Sequence, residues 1–216
     1  PVPVVSSAAT KSICSGVSVN YVPTAAVAGT VFNWTSSVTV GTVTGNTAVG
    51  GLGTIADVLV NTTNVIGTVR YVITPVANGC SGTPFNVDVT VDPQPTLSTV
   101  VTPLSQVLCS NTAMVIDVNS ATVPSAGSVV YDYVAVASDV SVTGFTASAI
   151  NQSLATNISN LNVLNSSLIR QTITYTITPK VLGGLACAGP SVVVVISIDP
   201  VPVVSSAATK SICSGV

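Results

Sequence analysis

Apolar and polar residues alternate along this chain with a period of two, the spacing of half-buried strands. The cleanest case is Phe85-Asn-Val-Asp-Val-Thr-Val91, where Phe85, Val87, Val89 and Val91 take one face and Asn86, Asp88 and Thr90 the other. The same rule predicts a strand over residues 17–21, with Val17, Val19 and Tyr21 inward, and another over 31–35, with Phe32 and Trp34 on one face as a core aromatic pair. Further strand signals lie at 2–7, 55–60 and 68–74, then at 114–118, 129–135, 140–145, 169–178 and 191–198. Residues 192–198 are apolar on nearly both faces, which predicts that the opening segment or another chain covers one side. Residues 41–53 are rich in Gly and read as turns and short edge pieces.

The pattern recurs at two scales. Residues 200–216, PVPVVSSAATKSICSGV, repeat residues 1–17 letter for letter, a period of 200 − 1 = 199 residues. The chain is therefore expected to be a window on a tandem array. Within the period, Tyr71-Val-Ile-Thr-Pro75 answers to Tyr175-Thr-Ile-Thr-Pro179, Val31-Phe-Asn-Trp34 to Val130-Tyr-Asp-Tyr133, and Asp92-Pro-Gln-Pro95 to Asp199-Pro-Val-Pro202. Cuts at these landmarks give one domain over 1–93, a second over 94–199, and the first strand of the next copy over 200–216. Each full domain has the size of an immunoglobulin-like β-sandwich.

Composition sharpens the fold class to all-β, with no helices of note. Of the 216 residues 47% are apolar and only 6% charged, and there is no His. All the acids are Asp, so the strong helix former Glu is missing, while Val, Thr and Ile abound. A net charge of −2 offers no basic stripe for nucleic acid. No apolar run approaches the length of a membrane span, and the absence of a signal peptide is expected of a piece from the middle of a long mature protein. Gly50-Gly-Leu-Gly53 lacks the Lys-Ser/Thr of a phosphate-binding loop.

Ile13-Cys-Ser-Gly16, Asn33-Trp-Thr35, Val69-Arg-Tyr-Val-Ile-Thr-Pro75, Asn78-Gly-Cys-Ser-Gly-Thr-Pro84 and the closing Val-Asp-Pro-x-Pro resemble the PKD-like repeats of giant surface proteins of gliding, Bacteroidetes-type bacteria. The first domain matches throughout and the second more loosely. The resemblance implies immunoglobulin-like sandwiches strung in long arrays, exported to the cell surface, and serving as the stalk of an adhesin or fibre. The partners it implies are neighbouring copies of the same repeat, with other filament strands and cell-surface components as further candidates.

Chemistry is sparse. Without His or Glu, acid and base work would fall to isolated Asp residues, and Asp57, Asp88, Asp117, Asp132 and Asp139 are expected to be outward and solvated, so no catalytic residue and no cofactor is assigned. Asp92 and Asp199 mark the two junctions, but one carboxylate at each is too few for calcium, which takes six to eight oxygens, so no metal site is assigned. The Asn-x-Ser/Thr sequons at Asn33, Asn61, Asn151, Asn157 and Asn165 are expected by chance in such a composition and receive no role. Trp34, Tyr131 and Tyr133 are needed by the core and leave no aromatic platform for a glycan. A structural shaft is the first functional expectation. The alternative is a module repeated for avidity that binds a ligand or glycan through loop residues such as Asn46 and Gly51.

The cysteines are Cys14 and Cys80 in the first domain, Cys109 and Cys187 in the second, and Cys213, which is Cys14 one period on. An even number per period in an exported β-protein points to disulfides. Two pairings stand open. One is within domains, Cys14 with Cys80 and Cys109 with Cys187. In the other, Cys14 and Cys80 lie at opposite ends of a sandwich, so Cys14 bonds Cys187 across the junction and Cys109 bonds Cys80 of the next copy. Loop entropy separates the two by only about 1 kcal/mol. The second predicts stiff junctions that resist unfolding under load.

Overall fold

A computed structural model describes residues 1–103 and 105–203. Residues 204–216, expected to continue the next copy, and Cys213 among them, lie outside the described residues. The fold is all-β, with no helix among the described residues.

The first sandwich contains β1 (Thr10–Cys14), β2 (Val31–Val40), β3 (Val43–Thr44), β4 (Gly51–Leu52), β5 (Val60–Asn61), β6 (Gly67–Ala77), β7 (Cys80–Ser81) and β8 (Phe85–Asp92). One sheet runs β1-β8-β6-β2-β4, with β7 also on β6. Its pairs are antiparallel except β1 on β8, which is parallel and sets Cys14 opposite Asp92. The facing layer is fragmentary. It consists of the β3–β5 pair and single bridges from Ser18 to Val58 and from Tyr21 to Ile55. Val19, Ile55, Leu59, Tyr71, Val87 and Val89 fill the space between. Trp34 is buried there too, its ring edge-on to Tyr71 with centroids 5.6 Å apart.

The second sandwich contains β9 (Ser98–Thr102), β10 (Val107–Cys109), β11 (Thr112–Asn119), β12 (Ser128–Ala137), β13 (Val142–Thr143), β14 (Ser148–Ser153), β15 (Ile158–Asn165), β16 (Gln171–Leu182) and β17 (Val192–Asp199). One sheet runs β10-β17-β16-β12-β14 and the other β13-β15-β11-β9. Here β10 lies parallel to β17 and sets Cys109 opposite Asp199, the same closure as in the first sandwich. Met114, Ile116, Tyr131, Val163, Tyr175 and Ile196 lie in its separate core.

Several expectations change. Residues 2–7 form no strand; Val5 makes a single bridge to Ala25, because Pro1 and Pro3 lack the N–H groups that a ladder needs. In the segment 17–21, Val19 and Tyr21 point inward but Val17 is exposed, and positive φ at Asn20 breaks the strand. Residues 55–60 shrink to isolated bridges and β5, and 140–145 to β13. β17 is a central strand between β10 and β16; its outward Val193 and Val195 are exposed, so no segment of the described chain covers that face. The strands β1, β7, β9, β10, β14 and β15 had no predicted counterpart.

The carboxylates also depart from expectation. Asp88 holds Arg70 in a two-pronged pair at 2.7 and 2.8 Å, and Asp132 takes Lys180 at 2.6 Å. Asp57 accepts the Tyr71 hydroxyl at 2.8 Å together with the Thr47 backbone N–H at 2.8 Å and hydroxyl at 2.7 Å. In the second sandwich Asn160 fills the place of Asp57. It accepts the Thr146 N–H at 2.9 Å and donates to the Tyr175 hydroxyl at 2.9 Å.

Two of the sequon asparagines prove structural. Asn61 and Asn165 are buried at 6% and 3% exposure. Asn165 accepts the Ser167 N–H at 3.0 Å and hydroxyl at 2.6 Å, and donates to the Ile169 and Ile198 carbonyls, both at 2.8 Å. Asn61 makes the matching bonds to Thr63, Val65 and Val91. The Asn-x-Ser/Thr spacing at these positions is thus that of a turn in which the hydroxyl residue bonds the asparagine oxygen. Asn165→Ala should lower stability by about 2–3 kcal/mol, since buried carbonyls lose their donor; urea unfolding measures it, with Asn157→Ala, on an exposed position of ordinary φ, as a near-neutral comparison.

Burial first, then the hydrogen bond and charge of Asp57, pushes the Tyr71 hydroxyl far above its ordinary 10.0. Burial likewise raises Tyr175, aided by Tyr133 and opposed by the Asn160 hydrogen bond. A raised folded value means that the protonated hydroxyl is favoured by the fold. Its contribution is complete below pH 10.0 and is lost as pH climbs toward the folded values. The thermal midpoint should hold level on approach to that pH and fall beyond it, with the tyrosinate absorbance that Tyr71→Phe and Tyr175→Phe remove rising only as the fold is lost.

Candidate functional site

The feature with functional geometry is the contact between the two sandwiches, and local pairing builds it. The last residue of β1, Cys14, is held by parallel register with Asp92, and the Ser15 N–H donates to the Asp92 carbonyl at 2.9 Å. Cys14 therefore sits at the trailing end of the first sandwich, where the chain leaves it. Cys187 lies in the connection from β16 to β17, and its carbonyl accepts the Val181 N–H at 2.8 Å. Two residues on, Gly189 donates to the Pro179 carbonyl at 3.0 Å and lies so close to the Pro95 carbonyl that no Cβ would fit. Pro95 belongs to the segment arriving from the first sandwich, so Cys187 sits at the leading end of the second.

Cys14 and Cys187 are joined by a disulfide, with 5.6 Å between their Cα atoms and 173 residues of sequence between them. Cys80 and Cys109 are exposed free thiols. Of the two open pairings, the structure adopts the junction bond at Cys14 and excludes the two within-domain bonds.

Polar contacts complete the junction. The Asp92 side chain is fully buried, and its two carboxylate oxygens accept the Ser125 N–H and hydroxyl, each at 3.0 Å. The Val123 N–H donates to the Asn64 carbonyl at 2.8 Å. Ser125 and Val123 come from the connection between β11 and β12, so one loop of the second sandwich is tied to the far end of the first. Sequence reasoning placed Asp92 at the junction but missed Ser125, whose only signal is its place in a Pro-Ser-Ala-Gly turn. Asp199, the counterpart of Asp92, is instead partly exposed and paired with Arg170 at 2.6 and 3.0 Å.

The loop residues named for ligand binding serve the fold. Asn46 donates to the Ser36 hydroxyl at 3.0 Å, and Gly51 lies flat against the Trp34 ring where a Cβ would collide. Changing either would disturb stability. Trp34, Tyr131 and Tyr133 are all buried. Among the described residues no group of three or more Cys, Asp or Glu side chains is placed to hold a metal ion, and no helix is long and apolar enough to cross a membrane.

The family model of the PKD-like domain matches the chain twice, over residues 11–95 and 106–202. No curated protein matches it. Among solved structures it is similar to a three-immunoglobulin segment of titin, at 10% identity and a TM-score of 0.40, covering 92% of this chain and 65% of that one. It is also similar to the FN1-FN3 domains of chicken CNTN1, at 14% identity and a TM-score of 0.34, covering 92% and 66%. A third similar structure holds the fibronectin(III)-like modules of CbhA from Clostridium thermocellum, at 12% identity and a TM-score of 0.29, covering 92% and 94%. The chain thus spans about two thirds of the length of the first two.

Removing the buried carboxylate tests the junction. Asp92→Ala leaves the Ser125 donors without their acceptor and should cost about 1–3 kcal/mol. It should also widen the spread of angles between the sandwiches, read by residual dipolar couplings. Asp117→Ala, on an outward position of β11, should do neither.

Proposed function

The chain belongs to the PKD-like domain family, and from that membership we propose that it is a structural repeat unit of the shaft of an extracellular filament or cell-surface adhesin. Its domains run over residues 1–93 and 94–199, and residues 200–216 open a further copy. The observation that carries this is the junction. Two sandwiches in sequence are joined by a disulfide, a buried carboxylate and a backbone hydrogen bond, so their mutual orientation is held by chemistry beyond the linker. A repeated binding module needs freedom between its units to reach several ligands, whereas a shaft needs that freedom removed.

Recurrence supports the same reading, since seventeen identical residues one period apart make a unit that is copied as a block. Disulfide formation fits the oxidising space outside the cell. The surface is poor in charge, so its contacts depend weakly on salt. The unit works without catalysis, metal or cofactor, and its partners are the copies before and after it.

Electron microscopy of the native assembly tests the proposal. With strands of about six residues at about 3.3 Å each plus loops and linker, a sandwich advances on the order of 40 Å and a period about 80 Å. A straight fibre with that axial repeat supports the shaft. Domains swinging freely like beads on a string would overturn it in favour of the avidity module.

A further inference from the structure

Cys80 and Cys109, left free by the junction bond, each hold the structural position of one of the bonded cysteines. Cys109 stands to the second sandwich as Cys14 stands to the first. Cys14 is opposite Asp92 in parallel register and Cys109 is opposite Asp199. The Ser15 N–H meets the Asp92 carbonyl at 2.9 Å, and the Ser110 N–H meets the Asp199 carbonyl at 2.9 Å. The Ser15 hydroxyl accepts the Asn61 N–H at 3.0 Å, and the Ser110 hydroxyl the Asn165 N–H at 2.9 Å. Both cysteines therefore occupy a trailing end.

Cys80 matches Cys187 by the same kind of test. Each precedes by two residues a glycine that donates to a strand proline, Gly82 to the Pro75 carbonyl at 2.8 Å and Gly189 to the Pro179 carbonyl at 3.0 Å. Each of these glycines presses on the incoming segment, Gly82 on the Pro3 carbonyl and Gly189 on that of Pro95. Both cysteines therefore occupy a leading end. The existing disulfide joins a trailing-end cysteine to the leading-end cysteine of the sandwich that follows. The segment that follows Asp199 is Pro200-Val-Pro202, identical to Pro1-Val-Pro3, the stretch against which Gly82 packs.

A second observation marks the same end. Leu164 (41% exposed), Leu168 (81%) and Ile169 (67%) stand out on the trailing tip of the second sandwich. Leu164 and Leu168 form a groove with Val201 and Val203, which are exposed as well. Val201 and Val203 follow closely on Asp199, and a sandwich docked at this end would cover the groove they share with Leu164 and Leu168.

We infer that Cys109 forms a disulfide with Cys80 of the next copy in the array, so that every junction, between unlike sandwiches within a copy and between copies, carries a covalent staple. The two thiols lose their protons and together two electrons as the S–S bond forms. The electrons pass by thiol–disulfide exchange to a disulfide donor, whose own S–S bond breaks and which leaves as two thiols. The inference rests on the proposed end-to-end array.

Fragment mapping of the native assembly tests it. Free thiols are alkylated in denaturant and the unreduced protein is cut with trypsin, which acts after Lys11, Arg70, Arg170 and Lys180. Cys80 and Cys109 then share the fragment 71–170. With the staple, these fragments stay linked copy to copy as a ladder that collapses to one species on reduction, while the intact protein runs as single chains in denaturant. Cys109→Ser should abolish the ladder and spare the bond between fragments 12–70 and 181–210. Single 71–170 fragments carrying two alkyl groups, or lacking two hydrogens through an internal bond, would overturn the inference. So would a ladder arising only from bonds between separate chains. An axial repeat of about 80 Å with no ladder would sink the staple and leave the shaft standing.

Discussion

Each sandwich closes by laying a short early strand parallel to its final one, Thr10–Cys14 along the strand that ends at Asp92 and Val107–Cys109 along the strand that ends at Asp199. Antiparallel neighbours can be joined by a tight turn, but a parallel pair needs the rest of the domain as its connection. That early strand therefore finishes at the end where the chain departs. That placement puts Cys14 within reach of the following sandwich and away from Cys80, which stands two residues before the Gly82 that packs on Pro3 at the opposite end. The junction disulfide, the buried Asp92 and the Asn61 and Asn165 turns all gather around this closure. Nδ2 of each asparagine donates to a carbonyl of the closing strand, Val91 in one sandwich and Ile198 in the other.

The two sandwiches solve one packing problem with different resources. In the second, both sheets are continuous. In the first, the facing layer is reduced to two-residue strands and single bridges, yet Val19, Ile55 and Leu59 are as fully buried as any residues of the better-formed layer. Burial of side chains there does not depend on a regular ladder. A tyrosine hydroxyl, Tyr71 or Tyr175, sits at the heart of each core and binds a polar residue that also holds a loop threonine, through Asp57 in one and Asn160 in the other. A carboxyl group and an amide perform the same positioning task because each presents an oxygen acceptor to the backbone N–H of a loop threonine.

What could be read from the sequence was whatever alternates. β8 and the β6/β16 pair, with their Tyr-x-Ile-Thr-Pro core, show one apolar and one polar face and were legible to within a few residues, as was the all-β class. β15 was missed because Asn160 and Asn165 point inward beside Ile158 and Val163, so polar letters occupy buried positions and hide the period. Residues 2–7 misled in the opposite sense, since valines there suggest a strand that the prolines cannot complete. At the junction, Asp92 and the cysteines were visible as recurring landmarks. Ser125 was not, because a serine that docks on a neighbouring sandwich looks like any other turn serine.

The disulfide from Cys14 to Cys187 also decides which part of the polypeptide would feel a pull along the proposed fibre. Tension entering at Cys14 crosses the sulfurs directly to Cys187, and the 173-residue span between them, about 600 Å if drawn straight, is taken out of the load path. In the proposed array the stretch that remains under tension runs from Cys187 to position 213, the sequence counterpart of Cys14, which is 213 − 187 = 26 residues. Drawn taut, that stretch measures about 90 Å, scarcely more than the folded period is expected to span. The sandwiches then act as spacers strung on a short covalent tether that runs through β17 of the second sandwich, and the proposed fibre reaches its full length before any core is asked to open.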